Sequence, residues 1–189
     1  MPRLGRSSKA KGYRGEVQAV RDLNKRLVTL EAFRTIGSGA FATRADAHAD
    51  PYLQGDVQIR TPASIVEYIE VKVRDPNRKK GPITIAEMDG KDWREHRRIL
   101  MCKHVPGGGD WLCSMWATTW DDLCRRLPQE PYFCYEGAAA TRGVSLHDVA
   151  ERIKDEGGLP VWWGAAFYMT IDKLCEMLEA AYGEEAADG

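Results

Sequence analysis

One aspartate, one glutamate and one lysine stand where a strand pattern calls for apolar side chains. The stretch 55–73 reads Gly-Asp-Val-Gln-Ile, a short interruption, then Ile-Val-Glu-Tyr-Ile-Glu-Val-Lys-Val, the pattern of two β-strands joined by a tight turn. Side chains alternate between the faces of a strand, so Glu70 and Lys72 share one face while Ile69, Val71 and Val73 take the other. A carboxylate and an ammonium two residues apart, inside a run of Ile and Val, are costly to bury without a partner or a task. Asp56, at the start of the preceding strand, can converge on the same place.

The chemistry that suits this set is phosphodiester hydrolysis. That reaction needs an activated water, neutralised charge on the phosphoryl oxygens and help for the leaving oxygen. One or two Mg²⁺ ions, or Mn²⁺ in their place, supply all three, and hard cations select carboxylate and carbonyl oxygens. Asp56, Glu70 and the carbonyl of Val71 are the expected ligands. Lys72 is expected to orient the water or to stabilise the charge developing on the phosphate. Glu16 is expected to hold a water of the ion, or a second ion.

The elements that must position these groups follow from the flanking sequence. From Tyr13 to about Leu30, apolar residues at Tyr13, Val17, Val20, Leu23 and Leu27 recur with a helical period. Glu16 borders that stripe, placed to reach over a sheet that the helix covers. Phe33–Ile36 reads as a short strand ended by Gly37-Ser38-Gly39, whose glycines let backbone amides approach a ligand closely, with Ser38 positioned for a phosphate or a water. Residues 40–54 form a long loop without a period, expected as a DNA-contacting flap. Asp46, His48 and Asp50 alternate with alanines there, which favours surface residues over metal ligands.

Beyond the hairpin, 74–82 is a basic loop punctuated by Pro and Gly, carrying Arg74, Arg78, Lys79 and Lys80. Thr84 and Glu87 make a capping box for a helix running to Lys103 and His104, with a strand over 100–105 as the competing reading. Trp111–Trp116 is a strand, and Thr119 with Asp122 caps a short helix. At an offset of 51 the chain repeats this unit: Trp111 matches Trp162, Thr119-Trp-Asp-Asp-Leu-Cys matches Thr170-Ile-Asp-Lys-Leu-Cys, and Leu127 matches Leu178. Ser145–Asp155 is a further amphipathic helix.

The chain has 189 residues, 43% apolar and 29% charged, which fits a globular protein with room for a sizeable core. Five cysteines, an odd number and widely spaced without a Cys-x-x-Cys pair, argue for reduced intracellular thiols and against a disulfide framework or a zinc site. With neither an apolar leader nor a long enough apolar run, a cytoplasmic protein without membrane contact is expected, in the host cytoplasm if phage-encoded. The net charge of −1 hides an asymmetry: residues 1–104 hold 21 basic against 13 acidic side chains, and 105–189 hold 6 against 15. A basic half joined to an acidic half indicates a polyanion-binding module with an acidic appendage. Lys9, Lys11, Arg14 and Arg34 join the 74–80 cations as expected DNA contacts.

Asp56…Glu70-Val71-Lys72 resembles the PD-(D/E)XK nuclease motif, with Gly-Asp in place of Pro-Asp. Together with Lys11-Gly-Tyr-Arg-Gly-Glu16, Phe33-Arg-Thr-Ile-Gly-Ser38-Gly and Ile69-Glu-Val-Lys-Val73, the chain is similar over about residues 9–127 to the archaeal-type Holliday junction resolvases, which also occur in phages. The resemblance implies a homodimer with two active sites, Mg²⁺-dependent cutting of paired strands at a four-way junction, and recognition of branched shape. The elements read from the sequence run α-β-β-β-α-β-α, and with the resemblance the expected fold is α/β, a restriction-endonuclease-like mixed β-sheet flanked by helices, to which the residues beyond 127 add an α/β C-terminal extension. The expected organisation is a flexible basic arm over 1–12, a nuclease core over 13–127, an acidic extension over 128–182 and a disordered tail over 183–189. Three departures stand out: Val17 replaces the basic residue that usually follows the helix glutamate, the loop before Asp56 is long, and 128–189 has no counterpart. The alternatives are a nuclease of this superfamily acting on other DNA and a DNA-binding module of the same fold without catalysis. A hydrolase built on His or Cys is disfavoured, since neither residue type clusters.

Overall fold

The computed structural model describes residues 4–35, 55–74, 84, 99–103, 110–137 and 144–187, with the backbone alone for 4–11, 137 and 185–187. Within these residues the fold is mixed α/β. In chain order the elements are α1 (Leu4–Asn24), β1 (Glu31–Arg34), β2 (Val57–Arg60), β3 (Ile65–Val73), β4 (Ile99–Lys103), β5 (Leu112–Trp116), α2 (Ala117–Cys124), β6 (Cys134–Gly137), α3 (Leu146–Asp155), β7 (Val161–Trp163), β8 (Ala166–Thr170) and α4 (Ile171–Ala187). The strands form one sheet in the order β1-β2-β3-β4-β5-β8-β7-β6.

The first three strands are an antiparallel meander, with Val57 opposite Ile69. β3 then pairs parallel with β4, Glu70 beside Leu100 and Lys72 beside Cys102. Parallel neighbours need a crossover of a dozen or more residues, and the stretch from 74 to 98 has that length. β5 runs antiparallel to both β4 and β8, which places the strand–helix repeat side by side at the centre of the sheet. The segment expected as an extension thus supplies β6, β7 and β8 to the same sheet.

Alternation sorts the core into two layers. Ile69, Val71, Met101, Cys113, Met115, Phe167 and Met169 face one side, covered by Ala19 and Leu23 of α1, Trp120 and Leu123 of α2, and Leu174 and Leu178 of α4. Leu100, Cys102, Leu112, Trp116 and Tyr168 face the other side, where Leu146, Val149 and Ile153 of α3 pack. Both faces of β4 and β5 are therefore buried, which explains why their sequences are apolar apart from Lys103 and Ser114.

Several expectations change. Of the helix predicted from Thr84 to His104, 85–98 and His104 lie outside the described residues; Ile99–Lys103 is a strand, β4, because Ile99–Cys102 is buried on both faces of the sheet, as in the competing reading. Thr84 makes an isolated bridge with Ser145, while Glu87 lies outside the described residues. Helix α1 begins at Leu4, so most of the expected basic arm is helical; Lys, Arg, Ala and Ser in this stretch extend a helix that packing secures further on. It ends at Asn24, short of Leu30. Its buried stripe is Gly15, Ala19 and Leu23, whereas Tyr13 and Val17, expected in that stripe, are 52% and 38% exposed. The reason is Gly15: a Cβ there would sit 2.7 Å from Cγ2 of Val73, so the helix touches β3 along its smallest residue.

The repeat is real in architecture and shifted in detail. Helices α2 and α4 start at Ala117 and Ile171, so the second copy begins about one turn later than the sequence offset implies. Thr170 accepts from the Lys173 amide at 3.2 Å, as a cap should. Thr119 lies inside the first turn of α2, and the N-cap position is Trp116, without a side-chain cap, correcting the reading of Thr119 as the capping residue. At α3 the predicted start holds: Ser145 and Asp148 form a reciprocal capping box. The tail expected to be disordered from 183 continues α4 to Ala187, where Ala and Glu favour helix. Gly183 allows close packing, since a Cβ would lie 2.8 Å from Oγ1 of Thr29. Among the described residues no helix is long and apolar enough to cross a membrane.

Candidate active site

Gly55 sets the site's first residue. Its φ of +66° suits glycine, and a Cβ there would meet the Ile69 carbonyl at 3.1 Å. That close turn lets the Asp56 amide donate to the Ile69 carbonyl at 2.9 Å and anchors Asp56 just before β2 begins. The Asp56 carbonyl in turn accepts from Thr35 at 3.0 Å, which ties the end of β1 to the same point.

From there, Oδ2 of Asp56 accepts from the Val71 amide at 2.9 Å. The amide and carbonyl of one strand residue open toward the same neighbouring strand. The Val71 carbonyl therefore also opens on the β2 side, beyond the last ladder pair, Val57 with Ile69. Glu70 and Lys72 project from the opposite face to Val71 and form an ion pair through Oε1 and Nζ. Both are partly exposed, at 23% and 36% of their side chains.

Glu16 arrives from the other side. Gly15 brings α1 onto Val73 and Val71, and the next residue's carboxylate is left 13% exposed over this end of the sheet. Its Oε2 takes a 2.7 Å ion pair from Nε of Arg34, whose guanidinium lies 4.6 Å over the Tyr13 ring. The strands end here, so Asp56 is approached from one face by Glu70 and Lys72 and from the other by Glu16.

The electrostatics register this convergence. Burial pushes the Asp56 carboxyl up, and the charges of Glu70 and Glu16 push the same way. The Val71 amide and Lys72 pull it down; the balance is about 6. Burial alone would lower the Lys72 ammonium, but the carboxylates of Glu70 and Asp56 outweigh it and hold it above its ordinary value.

As a cation site the set fits in chemical kind. Asp56, Glu70 and the Val71 carbonyl offer oxygen, the donor that hard divalent ions select, and the repulsion acting on Asp56 is what a cation would relieve. The grouping is looser than the sequence suggested. Among the described residues no three His, Cys, Asp or Glu side chains are gathered to hold one ion. Glu16 and Glu70 lie on opposite faces and are held by Arg34 and Lys72.

The remaining expected residues fall as follows. Arg34 stands at the site, engaged with Glu16. Arg14 is exposed on α1, and Arg74 is half-buried, its amide donating to the Lys103 carbonyl at 3.0 Å. Lys9 and Lys11 are placed on α1 by their backbone only, while Ser38, Asp46, His48, Asp50, Arg78, Lys79 and Lys80 lie outside the described residues.

Sequence reasoning missed Glu67. It falls among Ile65, Ile69, Val71 and Val73 on the core face of β3, where a charge is as anomalous as Glu70 on the other face. Its Oε1 accepts from Oη of Tyr182, 3.0 Å away on α4. The signal was present in the alternation itself.

Comparisons of the chain with protein-family profiles, with curated proteins and with solved structures find no match.

Proposed function

We propose that this protein is a metal-dependent endodeoxyribonuclease that cuts four-way DNA junctions, with a restriction-endonuclease-like arrangement of the β1–β3 meander, α1 and β4. The observation that carries the reading is the Asp56–Val71 hydrogen bond. It locks one carboxylate against the centre of Glu70-Val71-Lys72, where Glu70 and Lys72 act on it from one face of the sheet and Glu16 from the other. Asp56, Glu70 and the Val71 carbonyl would hold Mg²⁺. Such an ion supplies charge neutralisation and an acidified water when bound. The chain's own contribution is positional. Lys72 orients the attacking water and stabilises charge on the phosphate, with Glu70 keeping its ammonium protonated and aimed. Glu16 adds a carboxylate from the opposite face, steered by Arg34 and Tyr13. The asymmetry between the basic residues 1–104 and the acidic remainder supports a polyanion substrate. Branched DNA and a homodimer rest on the resemblance in Lys11–Glu16, Phe33–Gly39 and Ile69–Val73.

The test is cleavage of a four-way junction, a flap and a linear duplex of equal length, with and without Mg²⁺. Metal-dependent cutting of the junction well ahead of the others is the expected result. Equal rates on all three would assign a general nuclease of the same superfamily.

A second reading has its own observation. The Glu70–Lys72 and Glu16–Arg34 ion pairs, with no gathered set of three ligand side chains among the described residues, favour a DNA-binding module without catalysis. Tight junction binding with no cleavage at any Mg²⁺ or Mn²⁺ concentration would establish it.

A further inference from the structure

Helix α1 has two working faces. Gly15, Ala19 and Leu23 lie against the sheet, and Glu16 reaches the candidate site from that side. The outward face carries Arg14, Gln18 and Arg21, and Lys25, just past the helix end with its amide bonded to the Arg21 carbonyl, continues the row; the spacings of four, three and four residues make one helical stripe. Arg14, Arg21 and Lys25 are exposed. At 1.5 Å per residue the row extends about 16 Å, and it contains no acid.

An ordinary solvated helix face would intersperse charges of both signs. Here the nearest acid, Asp22, accepts from Nε1 of Trp111 at 2.9 Å, is only 17% exposed and pairs with Lys25 at 3.4 Å, so the row as a whole stays cationic. The face is also not uniformly polar. Tyr13 and Val17 flank the cations, and together with Arg14, Gln18, Arg21, Asp22 and Lys25 they line a shallow groove of about 420 Å³. Cations in a row beside an aromatic ring match a phosphate backbone, whose charges repeat along a line, with apolar side chains left to meet sugar or base edges.

We propose that this outward face of α1 is a second DNA-contact surface, gripping a duplex segment other than the one presented to Asp56 and Glu70. The inference rests on the nuclease reading and adds to it a physical reason for preferring branched DNA. The two faces of the helix are turned about 130° from each other at 3.6 residues per turn, so a straight duplex engages one of them and a junction can engage both.

The experiment compares full-length Asp56→Asn protein with the same protein carrying Arg21→Ala and Lys25→Ala. Binding to a four-way junction and to a linear duplex is measured over a range of salt concentrations, with circular dichroism melts to verify the fold and sedimentation to follow self-association. Removal of the two cations is expected to weaken junction binding about tenfold. It should make the dependence of log K on log salt shallower by about two, the counterion release of two phosphate contacts. Duplex binding should change by less than threefold. Unchanged junction affinity and slope, in a protein whose parent binds DNA, would overturn the stripe and leave the nuclease reading standing. An equal loss on both DNAs would overturn the assignment to a second segment. A change in self-association with DNA binding intact would give the groove to another copy of the chain and overturn the proposal. A parent that binds neither DNA would bring down the nuclease reading and this inference together.

Discussion

Tyr182 donates its phenolic hydrogen to Glu67 at 3.0 Å, joining the last helix to the strand that carries Glu70 and Lys72. Glu67 sits on the core face of β3, opposite Ile59 of β2, and burial pushes its carboxyl up to about 7 despite the bond from Tyr182. A carboxyl whose folded value is raised stabilises the fold most when protonated. Its contribution is complete below the unfolded value of 4.5 and is lost as pH rises through about 7. The full shift corresponds to about 3 kcal/mol.

Glu67→Gln keeps an acceptor for Tyr182 and removes the titration. The variant should be more stable than the parent at pH 8 by about 1–3 kcal/mol and nearly equal to it at pH 5. Urea melts at pH 5, 6, 7 and 8 measure the difference, and parallel curves for the two proteins would refute it.

Glu179 of α4 holds the turn between α1 and β1. Its Oε1 accepts from the amides of Thr29 at 3.0 Å and Leu30 at 3.2 Å, and its Oε2 pairs with the Thr29 hydroxyl. Burial opposes ionisation, but these bonds outweigh it and hold the carboxyl below its ordinary value. The stabilisation is therefore present above pH 4.5 and is lost as pH falls through the lowered folded value. Glu179→Ala should cost about 1–3 kcal/mol at pH 7 and less at pH 3, read from thermal melts at both pH values. The same argument predicts that a chain ending near Leu127 does not fold, because it lacks β8, the neighbour of β5, and all of α4. A cooperative melt from that fragment would contradict it.

Gly15→Ala places a methyl 2.7 Å from a branched Val73 side chain, so either α1 lifts or Val73 shifts. Overpacking of this kind destabilises by about 1–3 kcal/mol. Because Glu16 rides on the same turn, DNA cleavage should fall more than DNA binding. Gly15→Ala paired with Val73→Ala should recover both; failure to recover either would place the defect elsewhere.

Asp56→Asn retains an acceptor for the Val71 amide and removes the charge. Mg²⁺-dependent cleavage should be abolished, with junction affinity changed by less than about threefold, a shift under 1 kcal/mol. Undiminished cutting by this variant would overturn the site.

Much of the fold was legible because it is local. Period-two alternation placed Glu70 and Lys72 on one face of β3, amphipathic spacing from Ser145 to Asp155 announced α3, and the two strand–helix units showed in their recurring Thr, Asp and Leu-Cys positions. Where the signal was local but ambiguous, packing chose. Ile99–Lys103 could extend a helix or form a strand, and burial on both faces made it β4. Tyr13 and Val17 could share the buried stripe of α1, but the contact of Gly15 with Val73 turned them outward.

The sequence alone determined which residues could do chemistry: an acid at a strand start, and an acid and a lysine sharing one strand face. Only the tertiary structure decided what those charges meet. It set Asp56 on the Val71 amide, put Glu16 and Glu70 on opposite faces with Arg34 and Lys72 as partners, and inserted β8 beside β5 so that α4 braces β3 and the α1–β1 turn. Alternation and caps are fixed by neighbours a few residues apart. Glu67 with Tyr182 and Leu30 with Glu179 join positions 115 and 149 residues apart, and partners at that separation are chosen by the packing of the whole chain.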